Sequence, residues 1–230
     1  MRYDLHLHSC LSPCAEDEMT PEYIAGFAKL NKIDLIAVTD HNSALNLPAA
    51  QAACNAYGLR LLPGIETNTA EEIHVLTYFK DLDAALAMGE LLWQSLPDIP
   101  RNSAIWGRQL VVDEEGGMHT EEKKLLTAAS SLTIYEIKNA CEALGGIAIP
   151  AHVDRDSYSL LSVLGFAPED LPFAAYEVAR PEHTLTALTK TGRLPAGQEI
   201  LTSSDAHSLI KIAEYPRELP AQSCLWRLLE

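Results

Sequence analysis

A chain of 230 residues, 47% of them hydrophobic, is long enough to form one compact domain with a full core, and its composition requires no second domain. Its 17 basic and 32 acidic residues give a formal net charge of -15, which disfavours broad electrostatic binding to nucleic acid or to an anionic membrane. We therefore expect neither duplex DNA nor a membrane among its partners.

The first third of the chain alternates predicted strands with predicted helices. Apolar or alternating runs predict strands at residues 3–8, 33–38 and 59–65, with a polar loop at 9–17 after the first of them. Thr20 and Pro21 form a typical helix start, and Gly58 is a typical helix end. Strands and helices in this order are typical of parallel βα units.

The rest of the chain continues this pattern with one interruption. Further strands are predicted at residues 73–79, 146–151, 174–178 and 199–203, which makes seven predicted strands in all. Helical spacing predicts a helix from 82 to 96, and the capping box of Thr133 and Glu136 opens another helix. Residues 97–131 are less regular, and we interpret them as an excursion at the rim of the domain, either a lid or a plain surface insertion.

Six of the eight histidines lie at or just after the ends of these apolar segments. They and their acidic neighbours form five short motifs: His6-Leu7-His8, Thr39-Asp40-His41, Gly64-Ile65-Glu66 with His74 after it, Pro150-Ala151-His152 and Ser204-Asp205-Ala206-His207. A lone histidine after an apolar run is more often an ordinary hydrogen-bonded residue, although His-X-His places both rings on one face of a strand. Together the motifs predict a metal site, because imidazole and carboxylate ligands can converge from several strand ends in the mouth of a barrel.

The order of these motifs resembles that of the PHP (polymerase and histidinol phosphatase) family. Its members carry HxH on the first strand, TDH on the second, a glutamate on the third, a later PxH and a closing DxH, and the match runs from about residue 4 to residue 208. The resemblance implies a single α/β domain over residues 1–230, built as a distorted (β/α)7 TIM-like barrel. It also implies a metal-dependent phosphoric ester hydrolase whose nucleophile is a metal-bridging hydroxide.

The resemblance further implies a set of ligands for two or three divalent transition-metal ions. His6, His8, Glu66 and Asp205 would hold one ion, Glu66 would bridge to a second ion held by His74 and His152, and His41 and His207 would hold a third. Where many relatives have Ser-Asp-Gly, this chain has Ser12-Pro13-Cys14, so we choose Asp17 as the remaining ligand, with Glu16 as its substitute. Glu66, Asp205 and His207 are the expected catalytic residues. Manganese is the first choice of metal, with zinc or iron close behind.

The five cysteines do not form the pattern of a disulfide framework, because they are scattered and odd in number. We therefore expect a reducing compartment, the cytoplasm. Cys10 and Cys14 follow the first motif, but a zinc knuckle needs a second thiol pair, so packing roles are favoured over ligation by a thiolate. Candidate ligands begin at residue 6, so no secretory signal peptide is expected.

Charge favours a small phosphomonoester, such as histidinol phosphate or a nucleotide monophosphate, as the substrate. Six neutral imidazoles and three carboxylates around three divalent ions would leave about three positive charges, or about two with a bridging hydroxide, which a phosphomonoester dianion nearly neutralises. We expect Arg155 and Arg180 to hold the phosphate in a bidentate manner, with surface ion pairing as the alternative. The alternative functions are a phosphodiesterase or exonuclease acting on short oligonucleotides, and a metal-binding regulatory module without turnover.

Overall fold

The computed structural model of the chain describes residues 1–179, 188, 191–213 and 217–230. Its strands in these ranges are β1 (Arg2–Leu7), β2 (Leu35–Val38), β3 (Arg60–Leu61), β4 (Gly64–Asn68), β5 (His74–Tyr78), β6 (Leu110–Val112), β7 (Met118–Glu121), β8 (Ile147–Pro150), β9 (Ala175–Glu177), β10 (Glu199–Leu201) and β11 (Arg217–Glu218). Its helices there are α1 (Pro21–Leu30), α2 (Leu47–Tyr57), α3 (Leu82–Ser95), α4 (Ser103–Trp106), α5 (Ile134–Ala143), α6 (Leu160–Val163) and α7 (Trp226–Leu229).

Local signals set the helix boundaries where the sequence predicts them. The Thr20 hydroxyl accepts a hydrogen bond from the Tyr23 backbone N–H and caps α1, and Gly58 ends α2 in the left-handed conformation with φ 66°. Thr133 and Glu136 form the predicted capping box at the start of α5. These local predictions are confirmed.

The first sheet follows the predicted parallel βα pattern. Strands β1, β2 and β3 are parallel neighbours, and β11 adds to the outer edge of β1 in the antiparallel direction. Strands β9 and β10 form a second parallel pair. Every residue of β2 is buried, as expected for a parallel strand covered on both faces.

The centre of the chain departs from the prediction. Strands β4, β5 and β8 form an antiparallel sheet, in which Gly64 pairs with Tyr78 and Asn68 pairs with His74. The connection between β4 and β5 is too short for the crossover that a parallel pair requires, so the two strands form a hairpin. The predicted strand at 59–65 is also divided, because Leu62 and Pro63 separate β3 from β4.

The chain thus has a mixed α/β fold, and the finer expectation of a distorted (β/α)7 TIM-like barrel is not confirmed. Its described strands group into four sheets, and no closed barrel is detected among them. Six of these strands nevertheless surround one apolar core, to which each contributes a side chain no more than 2% exposed: Leu5, Leu35, Leu76, Ile149, Ala175 and Leu201. This shared core brings the ends of the six strands close together.

Residues 97–131 are attached to the loop that follows β1. The Leu110 backbone N–H donates to the Cys10 carbonyl at 2.8 Å, and the Asn46 side chain bonds both Leu110 and Val112 of strand β6. Gly107 has φ 91°, and a Cβ there would lie 2.1 Å from the Pro13 carbonyl oxygen. The segment is therefore fitted closely to the β1 loop, while its role as a lid stays a prediction.

None of the helices in the described ranges has both the length and the apolar character that a bilayer crossing requires.

Candidate metal centre

The predicted ligands come from the ends of strands that surround the common core. His6 and His8 alternate along β1 and its immediate extension, so both rings lie on one face, and both are fully buried. His41 follows β2, His74 begins β5, and His152 follows β8. The backbone is unusual at two of the predicted ligands, because His152 has φ 30° and Asp205 has φ 49°. Non-glycine residues held at positive φ often mark functional sites.

Glu66 is the hub of the cluster. It lies inside β4, is 1% exposed, and contacts five imidazoles. The nitrogen-to-oxygen distances are 2.9 Å for His74, 3.1 Å for His152, 3.3 Å for His6, 3.0 Å for His41 and 3.2 Å for His8. Burial opposes ionisation of Glu66, but the neighbouring His74, His6 and His41 outweigh it and hold the pKa of this carboxyl well below its usual value.

Asp205 closes the cluster from the opposite side. Its Oδ1 lies 3.3 Å from His6 Nε2 and 3.2 Å from His8 Nε2, and its Oδ2 lies 2.5 Å from Arg155 Nη2. Burial again opposes ionisation, but His6 and His8 keep the pKa of Asp205 well below its usual value. His207 donates from Nδ1 to the Asp205 backbone carbonyl at 2.9 Å in one tautomer, which leaves its Nε2 lone pair free for a ligand.

The residues fit divalent metal ions by their contacts as well as by their chemistry. His6 Nε2 and His8 Nε2 lie 3.2 Å apart, so two nitrogens converge on the same point as the Glu66 and Asp205 oxygens. Asp205 Oδ1 and His41 Nδ1 are buried and make no hydrogen bond with the described residues. Asp205 Oδ1 nevertheless lies 3.3 Å from His6 Nε2, and His41 Nδ1 lies 3.0 Å from Glu66 Oε2. Buried polar atoms without a hydrogen bond are costly unless a cation completes them.

Three groups of donor atoms lie within 4.8 Å of one another in the described part of the chain. They are His6, His8 and Asp205; His41, Glu66 and His74; and His8, Cys14, His41 and His207. Imidazole nitrogens and carboxylate oxygens suit zinc, iron and manganese alike, so the donor set establishes a candidate metal centre without naming the metal.

Two acidic residues organise this centre without matching a predicted role. Glu177, at the end of β9, accepts a hydrogen bond from His6 Nδ1 at 2.9 Å and another from the His152 backbone N–H at 3.0 Å. Asp40, within the Thr-Asp-His motif, accepts from the Ser9 backbone N–H and from the hydroxyls of Ser9 and Ser12. Glu177 therefore fixes the His6 tautomer that presents Nε2, and Asp40 fixes the loop after β1.

Sequence patterns missed Glu177 because it matches none of the five motifs. The signal that was available is a glutamate within the apolar run Ala174 to Val178, where a buried acid needs partners.

Burial lowers the pKa of His6, but Glu177, Asp205 and Glu66 outweigh this effect and raise the pKa well above its usual value.

The structure does not bring Asp17 to the donor groups. Its carboxylate lies 3.2 Å from Arg108 Nη1, and both side chains are about half exposed at 47%. Glu16 is also exposed. The loop after β1 instead places Cys14 beside His8, His41 and His207, because Ser12 is held by Asp40 and turns the chain there. Local desolvation raises the pKa of Cys14, but hydrogen bonds with His207 and His41 outweigh it and lower the pKa to about 5.

A cleft of about 460 Å³ opens beside the cluster. It is lined by His152, Asp154, Arg155, Asp156, Ser157, Glu177, Ala179, Ser203, Ser204 and Asp205. Arg155 is 44% exposed and is the only arginine or lysine among these described lining residues. Because its guanidinium contacts the Asp205 carboxylate, it lies between that carboxylate and the cleft. Arg180, the second predicted phosphate ligand, lies outside the described residues.

We expect Glu177→Gln to weaken metal binding by about tenfold or more, the usual effect of removing an outer partner of a metal-binding histidine. A glutamine can donate to His6 Nδ1, and this favours the tautomer in which Nε2 carries the proton and cannot bind metal. The measurement is a competition titration with a chelating dye. Glu199→Gln on the neighbouring strand is the matched control, since Glu199 bonds the Cys224 backbone N–H and touches none of the donors. Equal metal affinity in both variants would remove this role from Glu177.

Comparison with known protein families gives a match over most of the chain. The model of the family described as PHP domain matches residues 4–153, which include seven of the predicted metal ligands: His6, His8, Asp17, His41, Glu66, His74 and His152. The matched range therefore runs from within β1 to the third residue after β8 and contains the Glu66 hub.

Comparison with curated proteins and solved structures gives relatives of varied activity. The chain is 34% identical over 97 residues to the 5'-3' exoribonuclease Rnm of Salmonella typhimurium, an alignment that takes in 40% of this chain and 32% of the relative. An amidohydrolase from Chromobacterium violaceum has a TM-score of 0.63 at 22% identity, over 99% of this chain and 95% of that chain. Endonuclease Q, in complex with a 27-mer duplex carrying an abasic lesion at the active site, has a TM-score of 0.56 at 20% identity, over 90% of this chain and 49% of that chain.

This chain spans only part of the length of both nucleases. The alignment spans about a third of the exoribonuclease, and this chain covers about half of Endonuclease Q. The two nucleases therefore contain long regions for which this chain has no counterpart in the comparison.

The prediction that duplex DNA is excluded as a partner is wrong. It was drawn from the net charge of -15, yet Endonuclease Q, a structural neighbour of this chain, was solved with a duplex substrate whose abasic lesion lies at the active site. Net charge is a property of the whole surface, whereas phosphate is met by the local field of a site, where bound cations and single arginines dominate. An acidic total therefore does not decide whether such a site accepts nucleic acid.

Proposed function

This chain belongs to the PHP domain family of metal-dependent hydrolases, and from that premise we propose that it cleaves phosphodiester bonds in nucleic acid, as an exonuclease that removes nucleotides from the 5' end of RNA or of short oligonucleotides. The observation that carries the proposal is the Glu66 hub, where five imidazoles surround one buried carboxylate beside an open cleft. The 34% identity to a 5'-3' exoribonuclease supports nucleic acid over the small phosphomonoester expected from charge.

The metal ligands in this proposal follow the contacts of the cluster. His6, His8 and Asp205 would hold one ion, and Glu66, His74 and His152 would hold a second, with Glu66 also facing His6 and His8. His41 and His207 would hold a third. Bound divalent ions of this kind polarise phosphoryl oxygens and lower the pKa of water to about 7. Manganese is our first choice for the two carboxylate-containing positions, with zinc or iron as the alternatives.

The protein's own groups would position the substrate. The Nη2 group of Arg155 donates to the Asp205 carboxylate. The side chain is 44% exposed at the cleft, and its other N–H groups would donate to a phosphate oxygen. The acidic groups that share the lining, Asp154, Asp156 and Glu177, would repel a free dianion at any other point of the cleft. A phosphodiester, with one negative charge per linkage, suits a cleft with a single arginine better than a dianion does.

Tyr158 supplies a surface suited to a nucleobase. Its ring stacks on His74 with centroids 5.0 Å apart and planes tilted by 28°, and the residue is 48% exposed. Its backbone has φ 52°, a strained value for a bulky residue, and its carbonyl accepts the His74 backbone N–H at 3.0 Å. An aromatic ring held in this way at the edge of a phosphoesterase site favours a substrate that carries a base, because stacking on such rings is a main source of affinity for single strands.

We expect Tyr158→Ala to raise KM for an RNA oligonucleotide about fivefold, which corresponds to a stacking contribution of about 1 kcal/mol. Tyr158→Phe keeps the stacking ring and should behave as the wild type. Steady-state kinetics on the oligonucleotide and on bis(p-nitrophenyl) phosphate separate the two roles, since the small diester has no base to stack. An equal loss on both substrates would show that Tyr158 only supports His74.

The proposed function is tested with purified protein reconstituted separately with manganese, zinc and iron. The nucleic acid substrates would be an RNA oligonucleotide, a DNA oligonucleotide and an abasic duplex, each labelled at the 5' or 3' end. The small monoester substrates would be histidinol phosphate and nucleotide monophosphates. We expect mononucleotide release from the 5' end of the single strands. Preferential phosphate release from the small monoesters would overturn the nuclease assignment, and metal binding without any hydrolysis would indicate the regulatory module.

A further inference from the structure

Cys14 occupies the position in the centre that the sequence assigned to an acidic residue. Its sulfur lies within 4.8 Å of donor atoms of His8, His41 and His207, although Cys14 itself is exposed. The carboxylate predicted for this position, Asp17, is paired with Arg108 outside the cluster. The donor group nearest the loop after β1 therefore contains a thiol where a carboxylate was expected.

His8 is committed to the neighbouring group. Its Nε2 faces Glu66 at 3.2 Å and Asp205 at 3.2 Å, and its Nδ1 bonds the Ser12 hydroxyl at 3.0 Å. Neither ring nitrogen is then free for a further ion, so the protein ligands available beside the sulfur are His41 and His207. Three protein ligands with one open position is the arrangement of many catalytic zinc sites.

A second observation points to a ligand at this position independently of the cysteine. His41 is 8% exposed, and its Nδ1 makes no hydrogen bond although it lies 3.0 Å from Glu66 Oε2. The His207 ring stacks on His8 with centroids 4.2 Å apart, and its Nδ1 is used by the Asp205 carbonyl. The two imidazoles are thus held by the protein beside Cys14, His41 with its Nδ1 toward Glu66 and His207 with its Nδ1 toward the Asp205 carbonyl.

We infer that Cys14 is a thiolate ligand, together with His41 and His207, of a metal ion distinct in kind from the ions held by the carboxylate-containing groups. This inference rests on the proposed metal centre. A thiolate is a soft ligand that favours zinc or ferrous iron over manganese, so the chain would hold a mixed set of ions. It differs from the expectation that the cysteines after the first motif have packing roles; of the two, Cys10 is buried and its thiol lies against the Leu110 carbonyl.

Cobalt reconstitution tests the inference with a readout that does not depend on activity. A thiolate bound to Co²⁺ gives an intense near-ultraviolet charge-transfer band, which imidazole and carboxylate ligands do not give. We expect this band in the wild-type protein, its loss in Cys14→Ser with one fewer ion per chain, and a restored ion without the band in Cys14→Asp. Cys224→Ser is the matched control. Cys224 is also partly accessible, but it is not in a donor group, and its backbone N–H donates to Glu199.

Alkylation gives an independent measurement on the same protein. Iodoacetamide should modify Cys14 in the metal-free protein and be blocked by stoichiometric zinc, while modification of Cys224 should not change with zinc. A cobalt band that persists in Cys14→Ser, or bound ions with no band in the wild type, would overturn the thiolate assignment and leave the proposed hydrolase intact. Absence of any bound ion would overturn the metal centre itself.

Discussion

Glu66→Gln is expected to lower kcat/KM by about three orders of magnitude or more and to release metal from the protein. The carboxylate contacts five imidazoles, so it belongs to one of the three donor groups and touches members of the other two. A metal ion that stabilises transition-state charge contributes several kcal/mol, and each 1.4 kcal/mol corresponds to about tenfold in rate. A neutral amide would leave the surrounding histidines without the charge that they face. Steady-state kinetics and elemental analysis of the same preparation measure both effects.

Asp17→Asn is the control for this prediction. The residue is an acid that the motif order also assigned to the centre, but it is half exposed and paired with Arg108. Exposed ion pairs contribute about 0 to 1 kcal/mol, so the variant should keep wild-type metal content and activity. If Glu66→Gln and Asp17→Asn are equally active with saturating metal, the hub assignment fails.

Arg155→Ala is expected to lower kcat/KM by about one to two orders of magnitude while metal content stays at the wild-type level. The loss of one charge-assisted hydrogen bond to phosphate costs roughly 1.5 to 3 kcal/mol. Among the described lining residues, no lysine or other arginine is available to replace it. Arg155→Lys keeps the charge but not the bidentate geometry, so it should recover only part of the activity.

Arg108→Ala separates a local effect from a change in total charge. Arg108 is also an exposed arginine, but it bonds Glu121 and Asp17 rather than lining the cleft. It should therefore behave as the wild type in the kinetic measurement. Wild-type kcat/KM in Arg155→Ala would show that phosphate is held by the metals and backbone alone.

The parts of this structure that sequence predicts well depend on short-range signals. The Thr20 cap, the Gly58 end and the Thr133 capping box are decided by hydrogen bonds within a few residues, and they lie where they were predicted. The convergence of the histidines was predicted from their places after apolar strands, and six of them do meet around Glu66 and Asp205.

The parts that sequence does not predict depend on contacts between distant residues. Strand direction is one example, because Ile73 to Phe79 has the same apolar pattern whether it pairs parallel or antiparallel with its neighbours. Glu177 is another, since only the fold places it 2.9 Å from His6, 171 residues away. The placement of Cys14, rather than Asp17, beside the histidines depends on how Ser12 and Asp40 turn a loop, which residue spacing does not reveal.

The attachment of the segment at 97–131 has a consequence for how this protein opens. Its strand β6 is bonded to Cys10, and Gly107 fits against Pro13, on the same loop that places Cys14 beside three histidines. Separating the β6–β7 hairpin from the domain therefore also frees that loop. In native-state hydrogen exchange, the amides of Leu110 and Val112, which donate to Cys10 and Asn46, should become labelled in one cooperative event, and any ion held by this loop should slow the labelling of both.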